Sequence, residues 1–401
     1  MNILKKEIIK INPWWQGSIP QKLVKRPLYL ATLTKPKRFI DILSGARRVG
    51  KTFLLFSVIK RLLHTVKPSH IFYITAEARK IKQFTILEII AFFRKLHKIS
   101  TKTQIFVFID EVQEIPEWQE QIKYLYDTEN IKFYLSGSSS LILNKQTSKL
   151  TGRYQLHHIM PLSYNEYLDF NIFFGKKRTK GDFFEDYINH GGYPENITIQ
   201  SDQYLRQTVE STLYRDLLSY YGIRNPALLE DLFYFLCDKI TTPVSANKIA
   251  KDLKIDVSTA QFYLKYLQDI YLVYPLYKKG MSNRIVKSSL PKYYINDTGI
   301  LRVFSLKPRI GHLVENLVFT HLRRQAVSEK PKIYYDIIDD TEIDFVFNQK
   351  NYEVKYDKQI TEPLSNVTYL VDKLKRNVDY HQQTISKFIE KTNKVIFSIE
   401  N

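Results

Sequence analysis

A single cysteine, Cys237, occurs in 401 residues, which excludes an internal disulfide and a cysteine metal cluster and fits a reducing compartment. No run approaches the ~20 consecutive apolar residues of a membrane-crossing helix. Residues Met1 to Lys10 interrupt their apolar positions with charge too often for a signal-peptide core. The expectation is a soluble, cytoplasmic protein without a membrane partner. Internal repeats and low-complexity tracts are also lacking. Acids are in short supply, 41 against 60 Lys and Arg, giving a formal charge of +19 that favours a polyanionic partner, the alternative being a basic but inert surface. A chain this long exceeds the ~250–300 residues at which one core stops growing, so several domains are expected.

What is present begins with Gly45, Ala46, Arg47, Arg48, Val49, Gly50, Lys51 and Thr52, which fit G-x-x-x-x-G-K-[ST] and follow the apolar run Phe39 to Leu43. A buried strand feeding a glycine turn, with an amphipathic helix leaving it, aims backbone N–H groups and a helix N-terminus at phosphate oxygens. Gly45 and Gly50 are expected to supply positive φ and close backbone approach. Lys51 is expected to reach the β- and γ-phosphates of ATP, and Thr52 to offer its hydroxyl to Mg²⁺.

Further strands are read at His70 to Thr75, Gln104 to Ile109, Lys132 to Leu135 and Leu156 to Met160, with a helix from Thr85 to His97, an alternation that implies a parallel sheet. Asp110 and Glu111 follow the third strand at once, the Walker B arrangement: Asp110 for the Mg²⁺ shell, Glu111 to orient the attacking water. At the next strand end, Ser136 or Ser138 can sense the γ-phosphate; Ser138 through Ser140 can equally cap a helix. Arg153 opens the last of these strands and can serve as an arginine finger for a neighbouring subunit, which would make the protein a homo-oligomer, or else pair with a surface acid. Trp14 and Trp15 lie in a segment that either docks on this core or forms an interaction patch.

These residues, with Pro161 to Tyr167 and Gly191 to Glu195, resemble archaeal and bacterial AAA+-type ATPases that carry a C-terminal restriction-endonuclease-like domain. The resemblance runs from residue 25 through nearly the whole chain. It implies an α/β fold with an AAA+-like P-loop parallel sheet, an extra strand between the P-loop and Walker B strands, and room for Glu111 to act.

Helical patterning from residue 164 to 231 reads as a lid or linker. Ser245 to Leu253 and Ser258 to Ile270 read as two helices around a tight turn, and Leu272 to Tyr277 with Tyr293 to Ile295 as a strand pair, a winged helix whose wing carries Lys278, Lys279 and Arg284. Those cations suit phosphate contact, and the module can also be purely architectural.

In the tail, Glu315 interrupts the apolar face of a helix, and Asp344 and Glu353 sit inside apolar strands. Strand period puts Glu353 and Lys355 on one face, and a hairpin over Asn348 to Asn351 brings Asp344 beside them. The three acids can hold Mg²⁺, or Mn²⁺, while Lys355 positions a water near a scissile phosphate. The set matches the PD-(D/E)xK nuclease pattern, with Tyr356 and Asp357 after the lysine where small residues are expected. An inactive relic with a Glu353–Lys355 ion pair is the bland alternative.

The expected domains are an N-terminal arm (1–24), an AAA+-like ATPase core (25–163), a helical lid (164–231), a winged helix (232–303) and an α/β restriction-endonuclease-like tail (304–401). The expected function is ATP hydrolysis coupled to action on nucleic acid, DNA first, with a Mg²⁺-dependent cutting tail. The rivals are an ATP-gated DNA-binding module with an inert tail and an ATP-dependent protein-remodelling machine.

Overall fold

The computed structural model describes residues 2–19, 26–35, 38–137, 147–177, 179–220, 225–280, 290–325, 333–356, 363–372 and 381–392, with isolated residues between them. Contacts divide the chain into two compact units, Met1–Ile159 and Met160–Asn401.

The first unit is built on a parallel sheet of β1 (Ile40–Ser44), β2 (Ile71–Thr75), β3 (Ile105–Asp110), β4 (Ile131–Gly137) and β5 (Tyr154–His158), in the order β2-β3-β4-β1-β5. The near-continuous apolar runs follow from burial on both faces of such a sheet. β4 lies between the P-loop strand β1 and the Walker B strand β3, as the resemblance implies. Helix α1 spans Asn2–Ile11, α2 Pro27–Leu33 and α3 Lys51–Leu62; α4 (Ile86–His97) opens on a Thr85–Glu88 capping box, and α5 spans Trp118–Thr128.

The N-terminal arm is part of this unit. The Asn12 side-chain amide donates to Tyr73 O at 2.8 Å and accepts from Tyr73 N at 2.7 Å, so one side chain imitates a neighbouring strand along the edge of β2. The indoles of Trp14 and Trp15 both donate to Ile71 O, at 3.0 and 2.9 Å, and Trp15 stacks on Phe72 and Phe93. Docking thus accounts for both tryptophans, and the arm covers a sheet edge that would otherwise offer unpaired backbone groups.

The second unit begins with helices α6 (Tyr164–Phe173), α7 (Lys180–His190) and α8 (Asp202–Tyr220). Helices α9 (Pro226–Asp238), α10 (Ala246–Leu253) and α11 (Val257–Asp269) precede an antiparallel pair, β6 (Val273–Leu276) and β7 (Lys292–Ile295), then α12 (Thr298–Phe304) and α13 (Ile310–Gln325). The chain ends in a mixed sheet of β8 (Ile333–Ile338), β9 (Thr341–Phe347), β10 (Lys350–Lys355), β11 (Val367–Val371) and β12 (Gln382–Thr384), in consecutive order, backed by α14 (Ile385–Thr392). β8, β9 and β10 are antiparallel neighbours, whereas β10, β11 and β12 run parallel.

The first residues of the expected wing pair with the tail sheet. Tyr335 N donates to Tyr277 O at 3.0 Å and Lys279 N to Tyr335 O at 2.8 Å, so Tyr277 to Lys279 extend the edge of β8, and Lys279 faces Asp336 at 3.8 Å. Cross-sheet pairing outcompetes solvent exposure for these lysines' backbone. Arg284 lies outside the described residues.

Candidate functional sites

Among the P-loop glycines the expectation needs one correction. Gly50 has φ 90°, but Gly45 does not occupy the left-handed region; it is needed for close approach, since a Cβ there would lie 2.1 Å from Ile159 O. The second left-handed residue of the loop is Arg48, at φ 61°. Lys51 is buried, and its ammonium donates to Gly45 O and Ala46 O, both at 3.0 Å, so the loop is wrapped around its own cation. Arg26, absent from the sequence reading, donates to Val49 O at 3.0 Å and braces the loop from behind.

Asp110 is where the strand ends converge. Thr52 Oγ1 donates to its Oδ2 at 2.6 Å, Tyr73 OH to the same oxygen at 3.2 Å, and Ser136 Oγ to Oδ1. Burial, then the Asp110 charge, raises the Tyr73 phenol, which therefore stays protonated and donates to Asp110. Glu111 N donates to Ser136 Oγ at 3.1 Å, so one hydroxyl ties the Walker B pair together. Glu111 itself turns at φ 51°, a left-handed conformation rare for a non-glycine and concentrated at functional sites, and Gln113 Nε2 donates to its carboxylate at 2.5 Å. A hydroxyl and a carboxylate side by side are hard donors suited to Mg²⁺ beside a nucleotide phosphate. Ser138 lies outside the described residues.

Arg153 stands elsewhere. Its carbonyl accepts from Ile40 N at 2.8 Å, at the start of β1, whereas the P-loop leaves the far end of that strand. Its guanidinium holds Asp127 through two bonds, at 3.0 and 3.1 Å. An in-cis role at the P-loop is thereby excluded, and the surface ion pair of the bland alternative is present.

The second unit gathers all four tail residues on one cavity of about 740 Å³, lined by Glu315, Glu342, Asp344, Glu353 and Lys355. The Glu353 carboxylate holds the backbone of Asp344, and the Asp344 carboxylate that of the next residue along β10: Asp344 N donates to Glu353 Oε2 at 3.1 Å and Val354 N to Asp344 Oδ2 at 2.9 Å. Lys355 Nζ donates to Glu353 Oε1 at 2.6 Å, and Tyr294 OH to Glu315 Oε1 at 2.8 Å. Burial, then the Asp344 charge, pushes Glu315 well above the carboxylate range; burial, then Glu353, raises Asp344.

Two members were missed. Lys292, 1% exposed, reaches Glu342 Oε1 at 2.7 Å, Asp344 Oδ1 at 3.7 Å and Glu315 Oε1 at 3.9 Å. Burial opposes its charge, and Glu315, Asp344 and Glu342 more than compensate, so the ammonium is held above the ordinary lysine range. The signal was available, since Lys292 adjoins the apolar run Tyr293 to Ile295 just as Asp344 sits within one. As a metal centre the set fits in kind, carboxylates being hard oxygen donors. In arrangement it departs from expectation: among the described residues no three His, Cys, Asp or Glu side chains are grouped to hold a metal, and Lys292 and Lys355 pair with Asp344 and Glu353.

An AAA domain profile matches residues 37–168, and a domain of unknown function (DUF8612) matches residues 181–309. The chain is 30% identical over 335 residues to the uncharacterized protein MJ1544 of Methanocaldococcus jannaschii, covering 79% of this chain and 73% of that protein. An uncharacterized protein of Haemophilus influenzae is 25% identical over 388 residues, covering 92% and 95%. Among solved structures, the Walker-type ATPase PABY2304 of Pyrococcus abyssi aligns with a TM-score of 0.48 at 16% identity, covering 71% of this chain and 97% of that one. No described helix is long and apolar enough to cross a membrane.

Proposed function

The chain belongs to the family of MJ1544 and carries an AAA domain, and from that premise we propose that it couples ATP hydrolysis in its first unit to binding and cutting of nucleic acid, DNA first, by its second. What supports the cutting half is one observation: Glu315, Asp344, Glu353 and Lys355, picked from sequence and lying on three elements, share the wall of a single cavity.

In the first unit, Lys51 would neutralise the γ-phosphate, Thr52 and Asp110 would hold Mg²⁺, Glu111 would orient the water, and Ser136 would keep Glu111 registered to Asp110. Arg153 would leave Asp127 to meet the nucleotide of a neighbouring copy, making the working form a homo-oligomer. In the second, residues 164–231 would act as lid and 232–303 as winged helix, with residues 304–401 as the tail. A divalent cation, Mg²⁺ or Mn²⁺, held by Glu315, Asp344 and Glu353 would supply Lewis-acid polarisation of the phosphate. Lys355, pinned by Glu353, would hold the water and stabilise charge on the phosphoryl oxygens, while Arg309, His312 and Lys358 around the same cavity would steer the backbone. The cytoplasm is the compartment in which these partners meet.

Purified protein with plasmid and single-stranded DNA, with and without ATP, Mg²⁺ or Mn²⁺, tests this. Divalent-dependent cleavage and salt-sensitive retention are expected. Retention without cleavage leaves an ATP-gated binding module, and neither leaves a machine that works on proteins.

A further inference from the structure

The tail acids are held together by a cation the chain provides for itself. Lys292 comes from β7, outside the tail sheet, and its ammonium stands among carboxylates from two elements: Glu315 on α13, and Glu342 and Asp344, one strand period apart on β9. β7 cannot drift from α13, because Asn316, next to Glu315, bonds both backbone groups of Ile295: Ile295 N donates to Asn316 Oδ1 at 2.8 Å and Asn316 Nδ2 to Ile295 O at 3.0 Å. On the other flank, Tyr277 and Lys279 pair with Tyr335, fastening the β6–β7 pair to β8. Lys292 does not line the cavity; the acids do, with the ammonium behind them. Glu315 and Asp344 are largely buried, whereas Glu342 is half exposed, so without the ammonium the two buried acids would repel one another and keep uncompensated charge.

We propose that Lys292 is a positioning residue, a built-in counter-ion that keeps Glu315, Glu342 and Asp344 assembled without metal and competes with a divalent cation for them. This rests on the metal-dependent reading of the tail. Four carboxylates against Lys292 and Lys355 leave two negative charges when all are ionised, the complement of one divalent cation; without Lys292 the same acids bind the cation more tightly and depend on it for their fold.

The test is Mn²⁺ binding by the full chain at pH 8 without nucleotide, measured by calorimetry, with Asp344→Asn as the control that removes the tail site and leaves binding elsewhere to be subtracted. In Lys292→Met the Asp344-dependent site is expected to tighten about tenfold or more, and in Lys292→Arg to stay within about threefold of wild type. Equal affinity in wild type and Lys292→Met overturns the counter-ion and leaves the metal-dependent tail standing. An Asp344-dependent site in neither protein overturns both. Should Lys292→Met melt too low to assay, adding Glu315→Gln removes a buried charge left without its partner and is expected to raise the melting temperature by roughly 3 °C or more; no rise overturns the proposal.

Discussion

Thr52 and Asp110, 58 residues apart, meet through a 2.6 Å hydrogen bond between the first turn of α3 and the end of β3. The contact exists because β4, inserted between β1 and β3, sets the distance between the P-loop and the Walker B carboxylates while adding the Ser136 hydroxyl between them. On the proposed reading, binding chemistry and hydrolytic chemistry fall to different side chains. Lys51→Ala is expected to abolish ATP turnover, whereas Glu111→Gln keeps nucleotide affinity and loses hydrolysis by about 10²-fold or more. Nucleotide binding by fluorescence and phosphate release, measured on the same preparations, separate the two.

Ser136→Ala removes the one hydroxyl that touches both Asp110 and the Glu111 amide. Leaving a buried carboxylate oxygen and an amide short of a partner costs about 1–3 kcal/mol. The expected outcome is a kcat roughly 10- to 100-fold lower with KM for ATP little changed; a KM effect alone would mean that Ser136 serves binding.

Arg153 is tied to Asp127 at the edge of the sheet away from the P-loop. Arg153→Ala is expected to retain ATP binding and lose turnover, and mixing it with Lys51→Ala is expected to restore part of the activity in verified mixed oligomers. Full activity of Arg153→Ala on its own would reduce the residue to a surface ion pair.

Burial, with Arg324 adding to it, pushes His321 down to about 3, far below an ordinary imidazole at ~6.5. The folded ring stays neutral while the unfolded one takes up a proton, so its stabilising effect is complete above about pH 6.5 and lost as pH falls toward 3, at up to ~1.4 kcal/mol per pH unit. His321→Leu is therefore expected to flatten the fall in melting temperature between pH 7 and 5 by about one proton's worth. Parallel curves for the two proteins would show that the ring does not titrate on unfolding.

Much of this was legible in the sequence because buried parallel strands write themselves as apolar runs, and because a charge inside such a run is costly enough to be informative, as at Asp110, Asp344 and Glu353. Distant pairings were not legible. Asn12 against Tyr73, Arg26 against Val49, and Tyr277 against Tyr335 carry no local pattern, since each is decided by which edge comes to lie beside which. Lys292 drew no reading from the sequence, although it adjoins the run Tyr293 to Ile295; only the fold brings three acids to its ammonium. Gly45 was assigned a positive φ that the loop places on Arg48 instead.

The central claim is that two separable chemistries share this chain, and Asp344→Ala tests it most directly when ATP hydrolysis and DNA cleavage are measured side by side on wild type and variant with Mg²⁺ or Mn²⁺. The account predicts wild-type cleavage that the variant loses, ATP turnover within about twofold of wild type, and little change in DNA retention. Absence of wild-type cleavage of DNA or RNA in every nucleotide state, or cleavage that survives Asp344→Ala, would contradict it.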